Sequence, residues 1–433
     1  MKAYLNDNKQ FILLAFIWLV CGMYFGPLVY VVIPVMLLLM YSKGMHLEIL
    51  LGFLLILTLS DSRLRVLSFA GNIKNIYILV LSLILLKEKA FLEMPIYKYF
   101  IPFFAIAIYC VFLNPNIGLS FQKVLSYILL FVVLPNYFYM LYKMYGVELI
   151  RGIVFLFCVI FFLGFVFNFF SFNLTNVIGR YRGLLGNPNG LGLYSFLFIL
   201  FFSTVNEYYP NLFTRNEKIV IYGLSFFSLL KCGARTSLAT TLMFFFFKKS
   251  YKMSPFIGFI IFIFTCIIYQ YVSANLTEII VSLGLGDELR VDTLESGSGR
   301  TVAWTFAWQQ IQENFFIGKG FSYTEYIYLV NYEYLSLLGH QGSAHNAYLT
   351  LWLDTGLVGL GLFLIGLIAF FLKLASKSAL AFPVLYSVLF SNFYESWLCA
   401  SLNPFTIQLL FILTVIFINI KQTSIDEALK PSN

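Results

Sequence analysis

Charged side chains are scarce in this sequence. Only 11% of the 433 residues are Asp, Glu, Lys or Arg, against about 25% in an ordinary soluble domain. That shortage excludes a water-soluble globular fold. Histidine is scarcer still, with His46, His340 and His345 making up all three. None has metal-ligand spacing to another His or Cys, so no metal site is expected. The six cysteines are Cys21, Cys110, Cys158, Cys232, Cys266 and Cys399. Most fall inside apolar blocks, where a free thiol packs as a small hydrophobe, and neither zinc-like spacing nor a disulfide framework is readable. No small-residue cleavage site follows the first apolar block, which runs past residue 25. It is expected to remain as a membrane anchor and not to be removed as a leader. A basic stripe is missing too: the formal charge of +8 comes from cations in ones, twos and threes between apolar blocks. That pattern argues against nucleic acid as a partner and for membrane topology.

What the chain has instead is apolar length. Hydrophobic residues make up 60% of it, and many blocks approach the roughly 20 residues that span a bilayer as a helix. The 50 Phe and 29 Tyr exceed what interfacial belts need, and the excess receives no role. The expected spans are 11–25, 27–41, 47–60, 74–87, 99–114, 120–141, 149–171, 188–206, 217–231, 235–248, 254–272, 351–373, 378–393 and 404–420. Several are short, and Pro27 and Pro34 interrupt the first two, so twelve spans with two re-entrant or kinked segments is the alternative. The fold expected is therefore all-α: a polytopic membrane protein with 12–14 transmembrane helices and one long periplasmic loop. By sequence order it divides into helices over 1–272, the loop over 273–344 and helices over 345–433.

Orientation follows from the cations. With the N-terminus inside, Lys9, Lys43, Lys143, Lys248, Lys249 and Lys421 join most of the 28 Lys and Arg on the cytoplasmic side. Both ends are then cytoplasmic. Arg63, Arg65, Lys74, Lys123, Arg180, Arg182, Lys231 and Arg235 oppose the bias, as do Arg290, Arg300 and Lys319 in the long loop. Snorkelling to headgroups accounts for any one of them; an anionic ligand at that face accounts for the group.

Three segments depart from the alternation of apolar helix and short loop. In Gly179-Arg180-Tyr181-Arg182-Gly183-Leu184-Leu185-Gly186-Asn187-Pro188-Asn189, Asn187 suits an N-cap and Pro188 the first turn of the next helix. A capped helix start explains Asn-Pro-Asn but not the paired arginines, which would suit an anion at a helix N-terminus. Lys231-Cys232-Gly233-Ala234-Arg235 reads as a turn between two helices, ordinary or functional. In the third, Glu295-Ser296-Gly297-Ser298-Gly299 leads to Arg300 and an amphipathic stretch over 301–314. There Trp304, Trp308 and Ile311 share a face, read as packing or interfacial anchors ahead of a sugar platform. After Gly318-Lys319-Gly320 come His340 and Ser343-Ala344-His345-Asn346-Ala347-Tyr348. A loop histidine is ordinarily a solvated side chain. His345, at the membrane edge on the side of the outward arginines, also suits a general base.

These pieces together resemble the O-antigen polymerase and O-antigen ligase superfamily of bacterial inner-membrane glycosyltransferases. The likeness rests on Arg182-Gly183 and Gly186-Asn187-Pro188-Asn189, Gly233-Ala234-Arg235, Gly299-Arg300 with Trp304, Gly318-Lys319-Gly320, His345-Asn346-Ala347-Tyr348-Leu349, and Asp354-Thr355-Gly356-Leu357-Val358-Gly359. It covers about residues 180–360, and Asp354 departs from it where Glu is common. The resemblance implies a glycan carried on undecaprenyl diphosphate and a metal-independent, inverting transfer at the periplasmic face, with no cofactor. Arg182 and Arg300 would hold the diphosphate, Arg235 would assist, and His345 would take the acceptor's proton. Arg180, Tyr181, Asn187, Asn189 and His340 rank behind these as substrate contacts.

A polymerase, passing glycan to the next lipid-linked repeat unit, is the first expectation. A ligase acting on lipid A-core is the alternative, and a transporter of lipid-linked sugar is the second alternative. The expected partners are the lipid-linked glycan and the bilayer, with room for a chain-length regulator. The site would face the periplasm from the inner membrane.

Overall fold

The computed structural model describes residues 9–62, 64, 67–88, 92–250, 255–275, 299–340 and 342–428. Arg63, Arg65, Arg290 and the Glu295–Ser298 turn lie outside the described residues. Each of the fourteen expected spans coincides with a helix. Among the described residues, six helices are long and apolar enough to cross a membrane: Phe69–Lys87, Ile117–Tyr145, Val147–Phe170, Pro188–Tyr208, Pro255–Val272 and Ala347–Ala375. Six shorter apolar helices accompany them. Among the described residues the sole strand pairing is a two-residue ladder, Asn176–Val177 with Arg180–Tyr181. The chain is an all-α polytopic membrane protein.

Surface chemistry agrees with that architecture. The helix Pro255–Ala274 exposes Phe256, Phe264, Ile267 and Ile268, and Ala347–Ala375 exposes Ile365 and Leu372. Apolar faces of that extent need lipid to cover them.

Two compact units divide the described chain. One draws on residues 1–97, 125–241 and 400–433, the other on 98–124 and 242–399. This partition does not follow the order of the chain, because long-range packing joins segments far apart in sequence.

In the first unit Pro188–Tyr208 is the central helix, with 94% of its span buried. It packs against Arg215–Lys231 and Thr406–Ala428. Its start is made locally: Asn187 Oδ1 accepts the Gly190 N–H at 2.7 Å with Pro188 in the first turn, as the run Asn-Pro-Asn predicts. The cap satisfies one of the N–H groups that a helix start leaves unpaired.

The second unit is built around Ala347–Ala375, which packs against Ile101–Val111, Ala381–Asn392 and Arg300–Glu313. The span expected over 351–373 lies within this helix, which starts at Ala347 and breaks at Gly356 (φ 73°, ψ 178°). Backbone groups freed by the break are taken by the incoming loop. Leu357 N–H donates to the Phe315 carbonyl at 2.9 Å, and Gly320 N–H donates to the Asp354 carbonyl at 2.9 Å. The Asp354 carboxylate then caps the next turn of the loop. It accepts from Ser322 N–H, Thr324 N–H and Thr324 Oγ1, each at 2.7 Å. An interrupted membrane helix needs this kind of replacement, since lipid supplies no hydrogen bonds. The sequence runs Gly318-Lys319-Gly320 and Asp354-Thr355-Gly356 are thus two halves of one joint.

Candidate active site

Within the second unit, three candidates from the sequence come together at the mouth of the Ala347–Ala375 helix. Arg300 is the first residue of Arg300–Glu313. The preceding Gly299 has φ 61°, and a side chain there would meet the Gly339 carbonyl at 2.8 Å. The 339–340 backbone crosses so closely that only glycine fits. His345 stands immediately before Asn346, whose Oδ1 caps the helix by accepting Tyr348 N–H at 2.9 Å and Leu349 N–H at 3.1 Å. His345 itself has φ 46°. A left-handed conformation in a non-glycine residue costs about 1–3 kcal/mol and persists only where its surroundings hold it.

Both side chains converge on a residue that sequence reasoning missed. Glu395 Oε1 accepts from Arg300 Nη2 at 3.3 Å, and Glu395 Oε2 lies 3.3 Å from His345 Nδ1. The carboxylate is 12% exposed, while the Arg300 and His345 side chains are 23% and 32% exposed. A nearly buried acid thus sits beneath two half-buried, reachable groups. The Arg300 guanidinium also lies 5.7 Å from the centre of the Tyr394 ring, within cation–π range. Tyr394 is held by its hydroxyl bond to Gln270 Oε1 at 2.9 Å. One signal could have found Glu395: it is the only charged residue between Lys377 and Lys421, and an isolated ionisable group in an apolar stretch points to function.

Trp304 donates its Nε1–H to the Ala344 carbonyl at 3.0 Å, and Ile311 is fully buried. Both act as packing anchors, as expected. Trp308 is 40% exposed and meets Trp352 edge-on at 5.5 Å.

His340 is buried at 2% exposure, with its ring 6.1 Å from that of His345 and 5.9 Å from that of Tyr328. Its place is in the interior of the loop. Burial pushes its pKa below the ordinary histidine value of 6.5, His345 adds to the shift, and a hydrogen bond with the Ser343 backbone opposes it. The unfolded chain therefore binds more protons than the folded one below about pH 6.5. His340 contributes stability that is present above that pH and lost as pH falls towards the depressed folded value. The melting temperature in nanodiscs is expected to fall between pH 8 and pH 5.5. The slope should flatten in His340→Gln; an unchanged slope would remove His340 as its source.

In the first unit, Arg180, Tyr181, Arg182, Asn187 and Asn189 lie on the segment that leads into Pro188–Tyr208, and Ala234, next to Arg235, approaches that helix at Gly192. Arg180 links two of the segments singled out in the sequence. Its guanidinium donates to the Cys232 carbonyl (Nε at 3.2 Å, Nη2 at 3.0 Å), to the Gly233 carbonyl at 3.2 Å and to Asn189 Oδ1 at 3.1 Å. Arg182 is 6% exposed. It donates to the Leu174 carbonyl at 3.3 and 3.1 Å and to the Gly186 carbonyl at 3.3 Å, so it clamps the loop that carries the Asn-Pro-Asn run. Tyr181 is buried beside it, and Arg235 is exposed at the first turn of Arg235–Lys249. A further acid that the sequence did not announce faces this helix start. Asp61 Oδ2 accepts Gly186 N–H at 3.1 Å and lies close to Gly190. The end of a helix that would attract an anion therefore already has a carboxylate beside it.

Among the described residues, no three His, Cys, Asp or Glu side chains group so as to hold a metal ion. The arrangement in the second unit has a different capacity: a fixed imidazole for proton transfer beside a guanidinium for anion binding.

A family model described as O-antigen ligase matches residues 220–364. The match takes in Arg235, Arg300, His340 and His345 and stops short of Glu395. No curated protein matches the chain. The interrupted helix, the loop docked on it and the Arg300–His345 pair all lie on the matched segment, and over that segment the chain is similar to the O-antigen ligase family.

Proposed function

We propose that the protein is a repeat-unit polymerase that moves glycan from undecaprenyl diphosphate onto the next lipid-linked repeat unit, at the periplasmic face of the inner membrane. The observation that carries this reading is the meeting of His345 and Arg300 on one carboxylate, 45 residues apart in sequence. Glycan transfer from a diphosphate needs both of those functions. His345 Nε2 takes the proton of the acceptor hydroxyl as its oxygen bonds to the anomeric carbon. The bond from that carbon to the diphosphate oxygen breaks with its electron pair, and Arg300 meets the growing negative charge. Attack from the side opposite the leaving group inverts the centre. A guanidinium does the work that a metal ion does elsewhere, and no redox cofactor is called for.

Arg235, exposed at a helix start, assists with the donor. Within the first unit, Arg182 holds the loop that carries Asn187 and Asn189, and Arg180 bonds to Asn189; these residues are proposed as donor contacts in their own right. A chain-length regulator would act on the product and not on this chemistry.

The description of the matched family favours a second reading, the ligase, in which lipid A-core is the acceptor. Purified protein incubated with undecaprenyl-diphosphate-linked repeat units separates the two. A ladder of multiples is expected from a polymerase, and transfer only when lipid A-core is supplied marks a ligase. Absence of transfer in both reactions sinks both. In cells, loss of a polymerase leaves a single capped repeat unit, whereas loss of a ligase leaves none on the core.

A further inference from the structure

We propose that Glu395 is the positioning residue of this site: it sets which ring nitrogen of His345 carries the proton and competes with the donor diphosphate for Arg300. The consequence for glycan transfer rests on the reading above, but the side-chain coupling itself does not.

An ionised carboxylate only accepts hydrogen bonds. Glu395 Oε2 at 3.3 Å from His345 Nδ1 therefore selects the ring form with the proton on Nδ1. Nε2 is left with its lone pair, which is the form a general base requires. A second group commonly sets the tautomer of a working histidine in this way. The backbone adds a second constraint. Asn346 N–H donates to Ser396 Oγ at 2.9 Å, tying the residue after His345 to the residue after Glu395. The imidazole and the carboxylate are thus fixed by neighbouring links on the same two segments.

The other carboxylate oxygen faces Arg300 at 3.3 Å. One acid is shared by two partners, so a change at one is felt at the other. When a diphosphate draws the guanidinium to itself, the charge of Glu395 is no longer shared and acts on His345 alone. An imidazole with an undivided carboxylate at Nδ1 is a better proton acceptor at Nε2. Donor binding would then strengthen the base, and the acceptor hydroxyl would be activated only when a leaving group is in place. The proton passes to Nε2 and the electron pair leaves with the diphosphate.

The test is made on the full-length protein in nanodiscs, with ring-labelled histidine and nitrogen NMR. Only three histidines have to be assigned. Wild-type His345 is expected to show a protonated Nδ1 and an unprotonated Nε2. In Glu395→Ala it should relax towards the mixture seen for a free imidazole, and Glu395→Asp should restore part of the bias. Inorganic pyrophosphate should shift the His345 Nδ1 signal of wild type, and much less in Arg300→Gln. A protonated Nε2 in the wild type, or a tautomer indifferent to Glu395→Ala, overturns the positioning role, and the wild-type arm needs no variant to fold. A His345 signal blind to saturating pyrophosphate overturns the coupling.

Kinetics supply a separate arm. Glu395→Gln is expected to lower kcat by about 10- to 100-fold while the donor KM stays level or falls, because Arg300 loses a competitor. Unchanged kcat, or a raised KM alone, defeats the inference while leaving glycan transfer standing. A wild type that transfers no glycan defeats the functional reading while the NMR result stands.

Discussion

His345→Asn protein, purified in normal amount, is expected to form polymer from lipid-linked repeat units about 10²- to 10⁴-fold more slowly than wild type, the range typical of losing a general base. Asparagine is the better replacement because His345 has φ 46°, and Asn tolerates the left-handed region where Ala is strained. Its amide keeps a polar group near Glu395 without a nitrogen that can accept a proton. Asn346 and Ser396, which fix the local backbone, are untouched. Assembly should survive, and the loss should fall on turnover. The measurement is product size and initial rate at saturating donor, with protein quantified by its elution as a monodisperse peak. Normal long-chain glycan from this variant would remove His345 as the base.

Gly356→Ala is expected to damage the second unit more than any single hydrogen-bond deletion there. Two penalties coincide at that position. The backbone at φ 73° and ψ 178° is open essentially to glycine alone, worth about 1–3 kcal/mol against other residues. A Cβ would also fall onto the Phe316 carbonyl and the Ile317 Cα. These are backbone atoms that cannot swing aside, and overpacking of that kind costs about a further 1–3 kcal/mol. Together they approach the margin by which a domain is stable at all, about 5–15 kcal/mol. Relief would require the loop to leave the helix, breaking the bonds that Phe315 and Asp354 make across the joint.

Gly361→Ala on the same helix is the control, because a Cβ there meets nothing within 4 Å. A lower melting temperature and faster proteolysis of the 299–340 segment are expected for Gly356→Ala alone. Equal behaviour of the two variants would mean that the break in the helix is not maintained by this joint.

Apolar run length was enough to locate the helices, and the Asn-Pro-Asn run was enough to locate a cap, because both are set by neighbours in the chain. Other features depended on how the backbone folds back on itself. Arg182 reads in sequence as one of two outward cations awaiting an anion, but its guanidinium is bonded to the Leu174 and Gly186 carbonyls. Nothing local announces those acceptors. The Gly318–Gly320 turn and the Asp354–Gly359 run are legible as separate pieces of a pattern, and only their hydrogen bonds show them to be one structure. The smooth hydropathy over 351–373 hides the break at Gly356 because a kink changes backbone direction and not apolarity.

Composition alone committed this chain to the bilayer, since so few charges cannot hold 433 residues in water. The order of its short motifs carried the likeness to the O-antigen ligase family, which the matched family model repeats over residues 220–364. Which side chains meet was decided by the tertiary structure alone. Glu395 lies 95 residues from Arg300 and 50 from His345, and no periodicity or spacing rule connects positions so far apart. A carboxylate becomes the partner of a histidine only when packing removes water from between them, and that is a property of the folded chain.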